Sequence, residues 1–381
     1  MVKKALLLLI NFLLLTDSSN GYAKGKIAKS VTIIKTQSSD QAKNKITDLL
    51  ADKATVIYRL TNDSWRVSPS RLIPTAIKKE NVLCLLGPGL TIEPAALAQE
   101  IQQYEAKGVK ISSTNFKISA DASLILPIHQ GLENSNFYHL GDTKFFTKDL
   151  IGLDHEENSA VLQKKVERFL IHHNALRRGY GKPELKATAI VAYLKEYAPK
   201  ITPYISDITV DLINLHKTEQ PILIDGNKDA NLGFKFKDNL MVAVVDLYKD
   251  SPDRDACIDL FTLKQQIKVN GIAALALVNG ELLDGLETVK VCIGYEVNGK
   301  SVDNLPLEPS LQNHIKPIYK EFKGWKHSKG VKIYQDLDHN YRIFVKFLEK
   351  EAELPVAIIS TGPSARDTIM RQNPFTMKLG E

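Results

Sequence analysis

Short apolar runs separated by amphipathic stretches recur along the chain. The first, VTII at Val31–Ile34, is rich in β-branched residues. A small polar segment follows it, and then Ile46, Leu49 and Leu50 fall at helical spacing. This predicts strand, turn and helix. Thr55–Tyr58 reads as a second strand and Asn62–Ser70 as a polar loop; Val82–Leu86 is a third strand, ending in the GPG of Gly87–Gly89. From Glu93 and Pro94 the pattern turns helical, with Leu97, Ile101 and Tyr104 on one face and Gly108 as the stop. Leu124–Leu126, closed by Pro127, is a further buried strand. Strands alternating with helices predict an α/β fold with a large, mostly parallel central sheet flanked by helices.

The middle of the chain departs from this alternation. Between Glu156 and Leu215 it reads as helix, with Val161, Leu162, Val166, Phe169 and Leu170 on one side and then Ile190, Tyr193 and Leu194. That is a helical insertion. Strands resume at Pro221–Ile224, Met241–Leu247 and Ala273–Val278, with a helix over Ile258–Val269 stopped by Gly271. Thr288–Tyr295 leads into a hairpin at Asn298 and Gly299, a pair suited to a type I′ turn. A helix carrying Tyr341, Phe344 and Phe347 closes at Leu348, and Pro355–Ser360 is the last strand, running into the loop Thr361–Pro363. No repeat or long linker divides the chain, so residues 30–375 are expected to form one domain.

Composition adds boundaries. With 381 residues, 44% hydrophobic and 25% charged, the chain can bury a full core. The net charge of +6 arises from 50 basic and 44 acidic residues spread along the chain, without the dense basic patch of a nucleic-acid binder. Cys84, Cys257 and Cys292 lie far apart in or beside apolar runs, as buried free thiols do. Lys3 and Lys4, the apolar run Ala5–Leu15 and the small residues Gly21 and Ala23 form the three-part pattern of a signal peptide over residues 1–23. The run is shorter than the roughly 20 apolar residues of a membrane helix. The expectation is export, periplasmic or secreted, with no membrane span after cleavage; the alternative is a cytoplasmic protein with an N-terminal core helix.

The candidate chemistry sits in the first strand–turn–helix. Such a unit aims backbone N–H groups and a helix N-terminus at whatever lies over the turn, as phosphate sites do. Asp40 and Lys43 are read as lying in that turn. Ser38, Ser39, Ala42 and Asn44 occupy positions where a phosphate-cradling loop wants glycine.

The order of motifs resembles the adenylosuccinate synthetase family, related to P-loop NTPases. The strings VNGIAALALVNGELLDGLETVKVCIGYEVNG, PIYKEFKGW and LPVAIISTGPSARDTI carry the likeness most strongly, with TQSSDQAKNKITDLLADKATVIYR, RLIPTAI, LGPGLTIEPAALAQEI and LILPIHQGLE more loosely. The resemblance implies a GTP- and Mg²⁺-dependent ligase: GTP phosphorylates the C6 oxygen of IMP, and aspartate displaces that phosphate. Asp40 matches the family's catalytic and Mg²⁺-binding Asp, and Lys43 and Lys45 its two lysines. The family's NNAGHT string, with its acid His, is replaced by RLTNDSWRVSPS, which has no His. His129, His172 and His173 lie on other elements and are not expected to substitute.

Other positions depart similarly. Of the IMP phosphate loop, Gly141 and Thr143 are retained beside Asp142; Lys228 replaces a glutamine facing IMP, and Arg254 is the sole counterpart of an arginine-rich segment. At the guanine site Asn279 replaces Lys and Glu281 replaces Asp, while Ser360, Thr361, Gly362 and Pro363 keep the second wall. Asp284 and Gly285 are read as turn residues. The expectation is therefore a catalytically inactive family member with a binding or interaction role, needing no cofactor, with Asp40 and Lys43 as remnants. Its partner would be a protein or small molecule; the family also implies a homodimer. The alternatives are a divergent active ligase using GTP and Mg²⁺ for purine nucleotide biosynthesis, and altered chemistry on another nucleotide.

Overall fold

The structure, a computed structural model, describes residues 27–37, 39–61, 71–129, 145–218, 220–226, 236, 238–248, 256–306 and 308–378. In chain order its elements are β1 (Ser30–Gln37), α1 (Asp40–Ala51), β2 (Val56–Thr61), β3 (Leu83–Gly89), β4 (Thr91–Ile92), α2 (Pro94–Glu105), β5 (Phe116–Ser119) and β6 (Ser123–Leu124). Next come α3 (Glu156–Gly179), α4 (Ala187–Ile201), β7 (Ile205–Ser206), α5 (Ile208–Lys217), β8 (Ile222–Asp225) and β9 (Asn239–Asp246). The last part holds β10 (Ile258–Asp259), α6 (Leu260–Asn270), β11 (Ala274–Val278), β12 (Thr288–Val297), β13 (Lys300–Val302), β14 (Ile315–Lys323), α7 (His339–Ala352), β15 (Val356–Ser360) and β16 (Thr368–Met370).

Among the described residues ten strands form the central sheet in the order β16-β15-β11-β9-β1-β8-β2-β3-β5-β7. Every pairing is parallel except that of the edge strand β16. The expected α/β sheet with a helical insertion is present. From β1, α1 carries the chain to β2 and outward to β3 and β5, whereas β9, β11 and β15 lie on the other side. The sheet thus reverses its winding at β1, and in such sheets ligands sit outside the strands' C-terminal ends at the reversal.

Period-two alternation divides the core. Val31, Ile33, Val242, Val244 and Ala276 face the layer holding Ile46 and Leu50 of α1 and Leu97 and Ile101 of α2. Ile34, Ala243, Val245, Leu275 and Leu277 face the layer of α6 and α7, around Trp325, Tyr341 and Phe344. Helices α3 and α4 extend the first layer through Leu162, Val166, Ile190 and Leu194. Val161, expected on the buried side, is 63% exposed. It lies one position from the Leu162–Val166–Leu170 stripe, and a helix turns about 100° per residue.

Three further expectations are corrected. Leu124 pairs in a separate two-stranded ladder, β4 with β6, and Phe116–Ser119 is the strand that enters the central sheet. Ile258 and Asp259 form a short strand, so α6 begins at Leu260, with Asp259 accepting from Thr262 N–H as its cap. Helix α7 runs past Leu348 to Ala352. The hairpin turn is as expected, with Asn298 and Gly299 both at positive φ. All three cysteines are buried and none is in a disulfide. Among the described residues no helix is long and apolar enough to cross a membrane.

Candidate functional site

The C-terminal ends of β1, β8, β9, β11 and β15 bring Ser39, Asp225, Asp246, Asn279 and Ser360 to one edge of the sheet, around the start of α1. The turn between β1 and α1 is shorter than expected. Helix α1 begins at Asp40, with Ser39 as its N-cap accepting from Ala42 N–H, so Asp40 and Lys43 belong to the first helical turn.

Neither lysine of α1 is free. Lys43 is 4% exposed. Its Nζ lies 2.9 Å from Asp225 Oδ1 and donates to the Gly226 carbonyl at 3.1 Å. Arg59 Nε donates to the other Asp225 oxygen at 2.8 Å, and its guanidinium also caps the Leu72 carbonyl. Burial pushes the Asp225 pKa up, but Arg59 and Lys43 outweigh it and hold the carboxyl below the usual range. Lys45 donates to Ser360 Oγ and the Gly362 carbonyl. Its pKa is lowered by burial, opposed by Glu281 and Asp367.

The helix N-terminus itself meets an anion of the protein's own. Asp246, at the end of β9, accepts from Ser39 N–H at 3.3 Å and Ser39 Oγ at 3.2 Å through one oxygen. Asn279 Nδ2 donates to its other oxygen at 2.6 Å. Burial raises the Asp246 pKa against these donors. A helix N-terminus attracts anions through its unpaired N–H groups and dipole, and Asp246 takes up part of that capacity. A polyphosphate brought here would meet this carboxylate and find Lys43 already paired. These residues do not fit a phosphate cradle. Among the described residues no group of three or more His, Cys, Asp or Glu could hold a metal ion.

Glu281 is half-buried with its pKa raised, by burial first and against the pull of Lys45. Its Oε2 is buried without a hydrogen-bond partner among the described residues. Ser360, the last residue of β15, is fully buried. Thr361, expected to bind nucleotide, is turned inward: its hydroxyl donates to the Val331 carbonyl at 2.9 Å. Asp284 accepts from Ser328 N–H and Oγ and from Lys329 N–H, and Gly285 has φ +82°, so both serve the turn as expected. Pro363 lies on the wall of a cleft of about 530 Å³ that is also lined by Gln41, Asn44, Lys45 and Asp48 of α1 and by Arg59, Arg71 and Thr75. The Asp40 side chain, Thr143, Lys228 and Arg254 lie outside the described residues.

A profile of the adenylosuccinate synthetase family matches residues 32–242 and 250–369. The chain belongs to the adenylosuccinate synthetase family. Among solved structures it is similar to the fully ligated adenylosuccinate synthetase of Plasmodium falciparum, with 20% sequence identity and a TM-score of 0.72 over 90% of this chain and 99% of that one. At that identity the likeness speaks for the fold. A second similar structure is the succinoaminodeoxyadenylate synthetase of cyanophage S-2L, bound to dGMP and to dATP as an energy donor, at 10% identity and a TM-score of 0.47 over 92% and 97% of the two chains.

The sequence reading missed Asp225, Asp246, Arg59 and Arg71. A signal for the two acids was available. PILID and MVAVVD both end an apolar run in a carboxylate, which places a charge at the C-terminal end of a buried parallel strand.

Proposed function

We propose that this member of the family no longer carries out the ligation and uses its cleft for binding. The observation that carries the reading is Asp246, which accepts from Ser39 at the N-terminus of α1, where the reaction would need phosphate to be held. The pairing of Lys43 with Asp225 supports it, since a lysine fixed in a buried ion pair is withdrawn from a substrate. The replacement of the acid His and the loop glycines in the sequence points the same way.

The decisive experiment incubates the protein with IMP, GTP, aspartate and Mg²⁺ and follows adenylosuccinate formation. No turnover is expected, and turnover abolished by Asp40→Asn overturns the reading. The alternative, a divergent active ligase using GTP and Mg²⁺, is supported by family membership and by Asp40 at the first position of α1.

We also propose export, on the signal-peptide pattern of residues 1–23. Mass spectrometry of the native protein should find an N-terminus at or near Lys24. An intact Met1 on the soluble protein would exclude cleavage.

A further inference from the structure

Strand β14 forms an outer edge of the second sheet. Among the described residues it pairs along its length with β12 and with no other strand, so backbone N–H and C=O groups face outward on its far side. Helix α7 lies against one face of this edge. Phe322 of β14 packs on Phe344 and Phe347 of α7, with ring centroids 5.6 and 4.7 Å apart, and Lys320 Nζ stands 4.3 Å from the centre of the Phe347 ring. Ile343, Lys346 and Lys350 fall at helical spacing around Phe347, and all three are exposed.

The strip is dominated by one sign of charge. Lys316 and Lys320 share the face of β14 that carries Phe322, since side chains on a strand alternate. The acids nearby are already engaged or outnumbered. Glu321 pairs with Lys290 at 3.6 Å, and Glu296 stands opposite Lys316 in the register. Glu351 pairs with Lys264 at 2.9 Å and also feels Lys320 and Lys350.

A second copy of this edge would set lysine against lysine, and Pro317 supplies no N–H; both features discourage self-pairing. An extended segment with a carboxylate at every second position fits instead. Its backbone continues the ladder of β14, and its acids fall on the side of the lysines. A nucleic acid would satisfy the lysines but not the backbone groups of a strand edge.

We propose that β14 and α7 form a docking edge for an acidic, extended segment of a partner protein, which joins the sheet as a further strand. None of these residues lines the cleft beside α1.

The test is fluorescence anisotropy of the full chain with a labelled peptide alternating valine and glutamate, as long as β14. The peptide should bind, and hydrogen exchange should slow at Ile315–Lys323 when it does. Replacing its valines by proline keeps the charge, removes every second backbone donor and should abolish binding. Lys320→Glu combined with Lys346→Glu should weaken the complex about tenfold, the scale of two exposed charge contacts reversed. Lys320→Gln with Lys346→Gln serves as a second variant and should lose less; thermal unfolding verifies that each is folded. No binding of the valine peptide overturns the proposal. So does equal binding of the proline peptide or of oligothymidylate, which makes the strip a plain cationic surface. Unchanged affinity in the folded charge-reversed variant, or exchange that slows elsewhere than β14, overturns it as well.

Discussion

Lys43 and Asp225 meet 2.9 Å apart at the C-terminal edge of the sheet, one 4% and the other 1% exposed. Arg59 completes the group from the neighbouring strand β2. Two cations share one carboxylate, and the Gly226 and Leu72 carbonyls accept further hydrogen bonds from them.

Removing the carboxylate charge leaves two buried cations facing each other. Asp225→Asn, which keeps the shape, is expected to cost about 3–5 kcal/mol. Urea denaturation of parent and variant checks this, with an unchanged slope showing that the surface exposed on unfolding is the same.

The carboxyls around the site respond to pH with opposite signs. Asp225 has a folded pKa below the ordinary aspartate value of 3.8. Its contribution is present above the unfolded pKa and is lost as pH falls through the lower folded one. Glu281 has a folded pKa raised above 4.5 by burial, so its contribution is full below the unfolded pKa and is lost as pH rises through the folded one. Glu281→Gln is therefore expected to be more stable than the parent at neutral pH, with the difference vanishing below the unfolded pKa. A denaturation series across pH measures the crossover.

Behind the site, Tyr341 stacks on Trp325 with ring centroids 4.3 Å apart and planes 7° from parallel. Its hydroxyl is buried without a hydrogen-bond partner among the described residues, and a buried unmatched group costs free energy. Tyr341→Phe should raise stability by about 1 kcal/mol. Gly280→Ala acts on the same contact in the other direction. A Cβ there would lie 2.7 Å from Tyr341 Cζ, and such overpacking should cost about 1–3 kcal/mol. Unfolding followed by tryptophan fluorescence reports both.

The thiols should be silent in the native protein. Cys84 and Cys257 are buried, and burial pushes the Cys84 thiol up to about 12 and raises that of Cys257 further. Only the thiolate reacts appreciably with a disulfide reagent. Native protein should give no rapid reaction, and denatured protein should titrate all three thiols.

Local pattern made much of the fold legible. The helices beginning near Asp40 and Pro94 and the turn at Asn298–Gly299 depend on spacing, a cap or positive φ, all encoded within one element. Phe116–Ser119 escaped because FKIS is short and mixed in polarity, and its strand state comes from lying between β3 and β7. Likewise Ile315–Lys323 carries four charges and a proline in nine residues, yet pairs along the whole of β12.

The sequence by itself determined the α/β class, the placement of its main strands and helices and the family, because periodicity and motif strings are properties of neighbouring residues. It also brought Asp40, Lys43 and Lys45 forward as the centre of the site. Only the tertiary structure decided what two of those side chains do. Lys43 is committed to Asp225 and Gly226, and Lys45 to Ser360 and Gly362, partners 183 and 315 positions away for Gly226 and Ser360. A charge shows its type in the sequence, but whether it is solvated, paired or held ready for a ligand depends on which distant strand ends the fold brings beside it.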